Sequence, residues 1–118
     1  MRVCAGQILL IDWRGDSLPK EPNKLRPCVV IEDSDIFDPA YPNVIVVPMS
    51  QNPDFGIAGL LTEIAPSKSN GCPERCFLIA SAVTSVSKRR IQQATSSHIT
   101  PAQLELVRRQ VLECIGML

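Results

Sequence analysis

The sequence lacks most of what marks a metalloenzyme or a general polyanion-binding protein. It contains one histidine, His98, and its twelve basic side chains are balanced by twelve acidic ones, so net charge attracts no polyanion. Aromatic residues make up only 4% of the chain, which leaves few side chains for stacking on nucleobases. Any contact with a nucleic acid must therefore come from a local patch.

Long apolar runs are also absent from the sequence. Near the amino end, Ile8 to Ile11 gives four apolar residues, too few for a signal-peptide core and far too few to span a bilayer. We therefore expect a cytoplasmic protein with no membrane partner. The five cysteines are an odd number, and Cys28 and Cys114 stand in apolar contexts, so a disulfide scaffold is not expected.

Several familiar catalytic patterns are missing as well. Cys72 and Cys76 have an unusual spacing for zinc, and a second ligand pair is lacking. His98 stands in a polar segment and is interpreted as a solvated loop residue, while no serine lies in a nucleophile elbow. The glycine patterns of phosphate-binding loops and dinucleotide sites are also absent. The sequence therefore predicts no metal and no cofactor.

What the sequence does contain is a series of short apolar runs separated by prolines and polar loops. These runs predict strands at 6–13, 27–32, 44–49 and 59–65, and a fifth strand over 76–86 that bends near 80–82. The length of 118 residues suits one domain with its own core.

The carboxy-terminal segment predicts a helix. Thr100 has the properties of an N-cap, Pro101 suits the first helical position, and Gln103 completes a capping box. The apolar stripe of this helix contains Leu104, Val107, Val111 and Cys114 or Ile115, and the helix ends at Gly116. Five or six short strands followed by one helix predict a small, mainly β, antiparallel barrel capped by that helix.

Two polar residues flank neighbouring predicted strands. Arg26 opens the second strand and Ser50 follows the third, so antiparallel pairing would bring both to the same end of the sheet. Each residue also has a simpler interpretation, as part of an edge salt bridge or as a turn former. The residues alone therefore indicate a soluble β-barrel domain in which an anion site is possible.

Several segments, in order, resemble the MazF/PemK family of toxin endoribonucleases, the mRNA interferases of type II toxin–antitoxin modules. These segments are Gly6-Gln7-Ile8 continuing to Trp13, Glu21 with Arg26-Pro27, Val46-Val47-Pro48-Met49-Ser50, the run from Leu78 to Ile91, and the Thr-Pro-capped helix. The resemblance covers nearly the whole chain and implies a single PemK/MazF-like domain over 1–118. The implied fold is a small SH3-like barrel of the MazF/CcdB type with a carboxy-terminal helix, working as a homodimer that a cognate antitoxin neutralises.

The resemblance also implies a reaction, the sequence-selective cleavage of single-stranded RNA by 2′-hydroxyl attack on the adjacent phosphate, without a metal. Arg26 matches the family's catalytic arginine and would stabilise the phosphorane. Ser50 would protonate the leaving 5′-oxygen, and Glu21 matches a loop glutamate that orients the arginine or accepts a proton. The residues expected to contact RNA are Trp13, Lys20, Lys24, Gln51, Ser81, Thr84, Lys88 and Arg89.

One segment departs from the family pattern. Relatives usually carry Asp-Gln in the late strand, where this chain has Ser81-Ala82, so a carboxylate is missing and enzymatic activity is left open. One alternative is a degenerate member that binds RNA without cleaving it. Another is a non-catalytic inhibitor of a protein target such as gyrase, acting through the terminal helix and its last apolar residues. Trp13 likewise has two interpretations, stacking on a base or closing the barrel.

Overall fold

Residues 2–13 and 25–118, which the computed structural model describes, form seven strands and one α-helix. The strands are β1 (Gln7–Asp12), β2 (Leu25–Val30), β3 (Asn43–Ser50), β4 (Leu61–Ile64), β5 (Cys76–Ile79), β6 (Thr84–Ser87) and β7 (Ile91–His98), and the helix is α1 (Pro101–Cys114). Single 3-10 turns lie at Pro53–Phe55, Ala80–Ala82 and Lys88–Arg90. The predicted mainly β architecture with a terminal helix is confirmed.

All strand pairs in the described part of the chain are antiparallel, and β3 is their centre. The strand order is β4-β5-β3-β2-β1-β7, with β6 also paired to β3. Strand β2 pairs with one edge of β3. Strands β6 and β5 pair with successive parts of the other edge of β3. The long third strand therefore links the two halves of the sheet.

The predicted fifth strand is broken where the sequence analysis placed a bend. The 3-10 turn at Ala80–Ala82 separates β5 from β6. Ala80 is fully buried in the core beneath α1, and a small side chain at this position lets the turn approach the helix. One apolar run in the sequence therefore supplies two strands.

Strand β7 was not predicted, because its sequence is almost entirely polar. It is held along β1 by backbone pairing with two irregularities in register. Side chains reinforce the pairing, since Thr95 Oγ1 donates to the Ile8 carbonyl (2.7 Å) and Gln7 Nε2 donates to the Thr95 carbonyl (2.9 Å). Tertiary pairing, and not apolar periodicity, makes this segment a strand.

The sheet is buried on both faces. Neighbouring residues such as Val46 and Val47 point to opposite faces, as the alternation of a strand requires. One apolar cluster lies beneath α1 and includes Ile8, Val29, Val47, Leu78 and Val107. The second cluster lies on the opposite face and includes Leu9, Ile11, Cys28, Val30, Val46 and Val86. This double burial explains why β1, β2 and β3 have continuous apolar runs.

Helix α1 begins as predicted, with a complete capping box between Thr100 and Gln103. Its contact with the sheet is shorter than the predicted stripe. Val107 is fully buried, whereas Cys114 is exposed and Ile115 is 63% exposed, so the final turn extends beyond the core. Among the described residues, no helix has the length and apolar character needed to cross a membrane.

Candidate functional site

Pairing of β2 with β3 brings Arg26 and Ser50 to the same end of the sheet. The register is fixed by the pairs Cys28–Pro48, Val29–Val47 and Val30–Val46. Continued by two residues, this register places Arg26 and Ser50 at the same level on neighbouring strands. Both residues are half-buried, and both line one groove of about 710 Å³.

The groove is formed by segments that are far apart in the sequence. Its floor includes Leu10 of β1, and its walls include Ser97 of β7 and the loop at 70–74. Gln51, which follows Ser50, is exposed and lines the same groove. Arg26, Ser50 and Gln51 therefore line one volume that is large enough for a short stretch of an extended ligand.

The hydroxyl of Ser50 is oriented by the backbone that follows it. Asn52 N–H donates a hydrogen bond to Ser50 Oγ, with a distance of 3.1 Å. A hydroxyl that accepts one bond keeps its own hydrogen for donation. Ser50 can therefore act as a hydrogen-bond or proton donor toward a group in the groove.

Arg26 lies beside a buried thiol as well as beside the groove. Burial raises the pKa of Cys28 to about 12, and contributions from Trp13 and Arg26 act in the opposite direction. The Cys28 thiol donates to the Arg26 carbonyl at 3.9 Å. At neutral pH the Cys28 thiol is therefore uncharged, and it is buried in the core.

Trp13 packs against the apolar cluster on the face opposite α1, and it is not among the residues that line the groove. Its buried indole Nε1 lies near the Cys28 thiol, where it partly offsets the rise in pKa that burial causes, but makes no well-formed hydrogen bond among residues 2–13 and 25–118. The sequence allowed two roles for Trp13, stacking on a base or closing the barrel, and this packing agrees with closing the barrel.

Other predicted RNA contacts also lie away from the groove. Ser81 is exposed on the 3-10 turn near α1, and Thr84 is paired with Val46 in the sheet. Lys88 and Arg89 line a separate pocket of about 330 Å³. The Lys88 ammonium donates to a loop carbonyl there, at 3.1 Å. The remaining predicted residues, Lys20, Glu21 and Lys24, lie outside the described residues.

Phe55 and Glu74 are among the groove residues that were not identified from the sequence. Phe55 lines the groove and is 57% exposed, on a 3-10 turn capped by Asn52, whose Oδ1 accepts from the Asp54 N–H (3.0 Å). The capping pattern Asn52-Pro53-Asp54, which begins two residues after Ser50, is the signal that would have found it. Glu74 is the one carboxylate lining the groove in the described part of the chain, and no sequence pattern marked it.

A sequence model described as PemK-like, MazF-like toxin of type II toxin–antitoxin system matches residues 5–115. The chain belongs to the PemK/MazF toxin family. The resemblance given by the sequence segments is thereby confirmed. No curated protein matches the sequence significantly.

Solved structures of MazF proteins have the same fold. MazF from Deinococcus radiodurans is 15% identical with a TM-score of 0.74, and the match covers 99% of each chain. A chain in the structure of the MazE–MazF complex from that organism is 14% identical with a TM-score of 0.74, and the match covers 100% of each chain. A mycobacterial endoribonuclease in complex with its cognate antitoxin is 14% identical with a TM-score of 0.67, covering 99% of this chain and 96% of that one. At such identities the similarity shows the fold alone.

The position at which this PemK/MazF protein departs from the family pattern is now placed in the structure. Ser81 and Ala82 are exposed on the turn that packs near α1, and neither lines the groove. The carboxylate that the groove does possess, Glu74, comes from the loop before β5. The acidic group in this groove therefore comes from a different element than the late-strand pair.

Proposed function

We propose that this PemK/MazF toxin is an endoribonuclease that cleaves single-stranded RNA without a metal. The observation that carries the proposal is the joint position of Arg26 and Ser50, level on neighbouring strands and lining one groove. The mycobacterial endoribonuclease with the same fold supports it. Cleavage of messenger RNA would take place in the cytoplasm.

The substrate supplies its own nucleophile. The ribose 2′-oxygen attacks the adjacent phosphorus, the bond from phosphorus to the 5′-oxygen breaks, and a 2′,3′-cyclic phosphate and a 5′-hydroxyl result. The protein has to stabilise the additional negative charge and to move two protons. Arg26 offers two parallel N–H groups to the phosphoryl oxygens, which is a strong and directional form of charge stabilisation.

The protons are assigned to Ser50 and Glu21. Ser50, whose oxygen is held by the Asn52 N–H, donates toward the leaving 5′-oxygen. Glu21 accepts the proton of the 2′-hydroxyl or orients Arg26, a role carried over from the family resemblance. The exposed Phe55 ring provides a surface on which one base can stack, and the Gln51 amide can bond to a base edge. These two contacts would supply sequence selectivity.

The proposal includes two protein partners. A cognate antitoxin would inhibit the toxin by placing a segment in the groove, as a competitor of RNA, and the complexes of related MazF proteins with MazE support such a partner. A second copy of this chain would complete a homodimer, as the family resemblance implies. Sedimentation of the purified toxin alone and with its antitoxin tests both assemblies.

The test is incubation of the purified protein with a mixed-sequence single-stranded RNA in EDTA. We expect fragments with 5′-hydroxyl ends, and no cleavage of DNA of the same sequence, which lacks the 2′-hydroxyl. Arg26→Ala should lower the rate by about 10²- to 10³-fold, because one stabilising donor group is lost. Ser50→Ala should lower it by about 10²- to 10⁴-fold, whereas Ser50→Thr keeps the hydroxyl and should retain activity.

Several results would contradict the proposal. These are an absence of 5′-hydroxyl products, equal cleavage of RNA and DNA, or full activity of Arg26→Ala. Thermal melting of each variant separates loss of function from loss of fold. RNA binding without turnover by the wild-type protein would instead indicate a degenerate family member.

A second candidate function is favoured by the end of α1. Ile115, Met117 and Leu118 are 63%, 69% and 64% exposed, an apolar surface that costs free energy unless a partner covers it. Inhibition of a protein such as gyrase would use this surface. Gyrase binding that is lost on deletion of the last three residues, while RNA cleavage is kept, would support it, and an absence of gyrase binding would exclude it.

A further inference from the structure

Cys72 and Cys76 form a thiol pair in the wall of the groove. Their Sγ atoms are 3.7 Å apart, and both residues line the groove that contains Arg26 and Ser50. A disulfide has an S–S distance of about 2.05 Å, so the two sulfur atoms must move roughly 1.6 Å closer to each other to form the bond. Closure in this position would alter the groove itself.

The backbone around the pair is held by contacts that do not involve sulfur. The side-chain oxygen of buried Asn70 accepts from the Cys72 N–H (2.9 Å) and the Ser67 N–H (3.0 Å), and its amide nitrogen donates to the Ala65 carbonyl (2.8 Å). Cys76 begins β5 and is paired with Ile64 of β4. The two thiols are therefore brought together before any bond forms, which reduces the entropic cost of closure.

The two thiols differ in their access to solvent. Cys72 is half-buried, whereas Cys76 is only 6% exposed. Burial, with the neighbouring Cys72, raises the pKa of Cys76 to about 12, so Cys76 stays protonated and reacts slowly with an oxidant. Attack on an oxidant would therefore begin at Cys72, and Cys76 would act as the resolving thiol.

We propose that Cys72 and Cys76 are a redox modification site that hydrogen peroxide converts to a disulfide. The Cys72 sulfur attacks one peroxide oxygen, the O–O bond breaks, and a sulfenic acid and one water form. The Cys76 sulfur then displaces the hydroxyl from the Cys72 sulfur, forming the S–S bond and a second water. One peroxide is reduced and two thiols are oxidised.

The expected effect on RNA rests on the proposed function. Cys72 and Glu74 both line the groove, and Glu74 lies between the two cysteines in the chain. Bond formation draws Cys72 toward the core and shifts the intervening loop, so the wall of the groove changes while Arg26 and Ser50 stay on their strands. We expect a severalfold higher KM for RNA in the oxidised protein, with kcat retained.

The chain offers a direct readout by tryptic digestion. Cleavage after Lys68, Arg75 and Lys88 places Cys72 in the peptide 69–75 and Cys76 in the peptide 76–88. The full-length protein is treated with hydrogen peroxide, free thiols are alkylated, and the digest is examined by mass spectrometry. We expect the two peptides linked to each other, at their summed mass less one hydrogen molecule, and separated again by dithiothreitol.

Matched variants test the assignment. A protein with Cys4→Ser and Cys114→Ser should still form the linkage, since these exposed cysteines lie elsewhere. Cys72→Ser should abolish the linkage and the change in KM. Separate, alkylated peptides from the oxidised wild-type protein would overturn the proposal, and so would linkage to the peptides of Cys4 or Cys114.

The same experiment separates this inference from the proposed nuclease activity. If the reduced protein does not cleave RNA, the proposed function fails, while the peptide map still decides whether the disulfide forms. If the disulfide forms and the KM for RNA is unchanged, the site is not coupled to the groove and that part of the inference is wrong.

Discussion

Each residue of the candidate site owes its position to pairing between distant segments. Arg26 is brought level with Ser50 by the register of β2 against β3, and Glu74 reaches the same groove from the loop before β5. In the described part of the chain, the other basic residues do not reach this groove. The basic pair Lys88 and Arg89 lies at a separate pocket, where the Lys88 ammonium donates to a carbonyl.

Phe55 is expected to bind a base of the RNA. Phe55→Ala should raise the KM for single-stranded RNA by about 5- to 150-fold, since stacking on an aromatic ring is worth roughly 1–3 kcal/mol per base. The kcat should change little, because the ring is not expected to reach the scissile phosphate. Steady-state kinetics on a fluorescent RNA measures both constants.

Tyr41→Ala is the matched control for this substitution. Tyr41 is an aromatic residue that is 46% exposed and does not line the groove. An equal rise in KM for both variants, or a loss of kcat alone in Phe55→Ala, would contradict a stacking role for Phe55.

Glu74 is expected to weaken RNA binding by repulsion of the phosphates. Glu74→Gln should lower the KM by up to about fivefold at low salt, because exposed charge interactions are worth roughly 0.2 to 1 kcal/mol. The difference should shrink as the salt concentration rises. Kinetics at two ionic strengths check this, and a large fall in kcat would show instead that this carboxylate moves a proton.

Among the elements, α1 is held against the sheet by hydrogen bonds as well as by the buried side chain of Val107. Thr62 Oγ1 donates to Gln110 Oε1 at 2.8 Å, and Gln110 Nε2 donates to the Leu61 carbonyl at 3.0 Å. Arg108 donates to the carbonyls of Ile31 and Glu32 at the end of β2. These bonds satisfy polar groups that the helix buries, so its direction relative to the sheet is well defined.

The capping box is expected to stabilise the fold without affecting the groove. Thr100 Oγ1 accepts from the Gln103 N–H at 3.1 Å, and Gln103 Oε1 accepts from the Thr100 N–H at 2.9 Å. Thr100→Ala should lower the free energy of unfolding by about 1 kcal/mol, whereas Thr100→Ser should lower it little. Urea unfolding measures the difference, and equal stability of the alanine variant and the wild type would contradict it.

For the whole molecule, burial of a cysteine in the core should make the free energy of unfolding fall at alkaline pH. Burial raises the pKa of Cys28 from 9.0 to about 12 in the folded protein. The unfolded chain releases this proton first, so the stabilising contribution is complete below pH 9.0 and is lost as the pH rises toward about 12.

Replacement of this thiol should therefore change the pH dependence of unfolding. Between pH 9.0 and about 12, the stability of the wild-type protein should fall more steeply than that of Cys28→Ala, by up to about 1.4 kcal/mol per pH unit. Urea unfolding across that range provides the comparison. The variant should be less stable at neutral pH because of its cavity, so the slope is the test, and parallel slopes would refute the assignment.

Three properties could be predicted from the residues without coordinates: the strands whose apolar residues are buried on both faces, the start of α1 at Thr100, and the family. These properties depend on local composition and on spacing along the chain, which remain the same whatever the fold. Prediction from the sequence fails where the local pattern and the tertiary contacts disagree. Strand β7 is polar and was not predicted, and it forms because it pairs with β1.

Which side chains share the groove depends on the folded arrangement of the chain. Phe55, Glu74 and the thiol pair of Cys72 and Cys76 lie there, whereas Trp13 packs against the apolar cluster on the other face. The physical reason is that a groove collects the ends of strands and the loops between them. Which loop residues reach it depends on register and on connections between distant segments, and no short stretch of sequence encodes either.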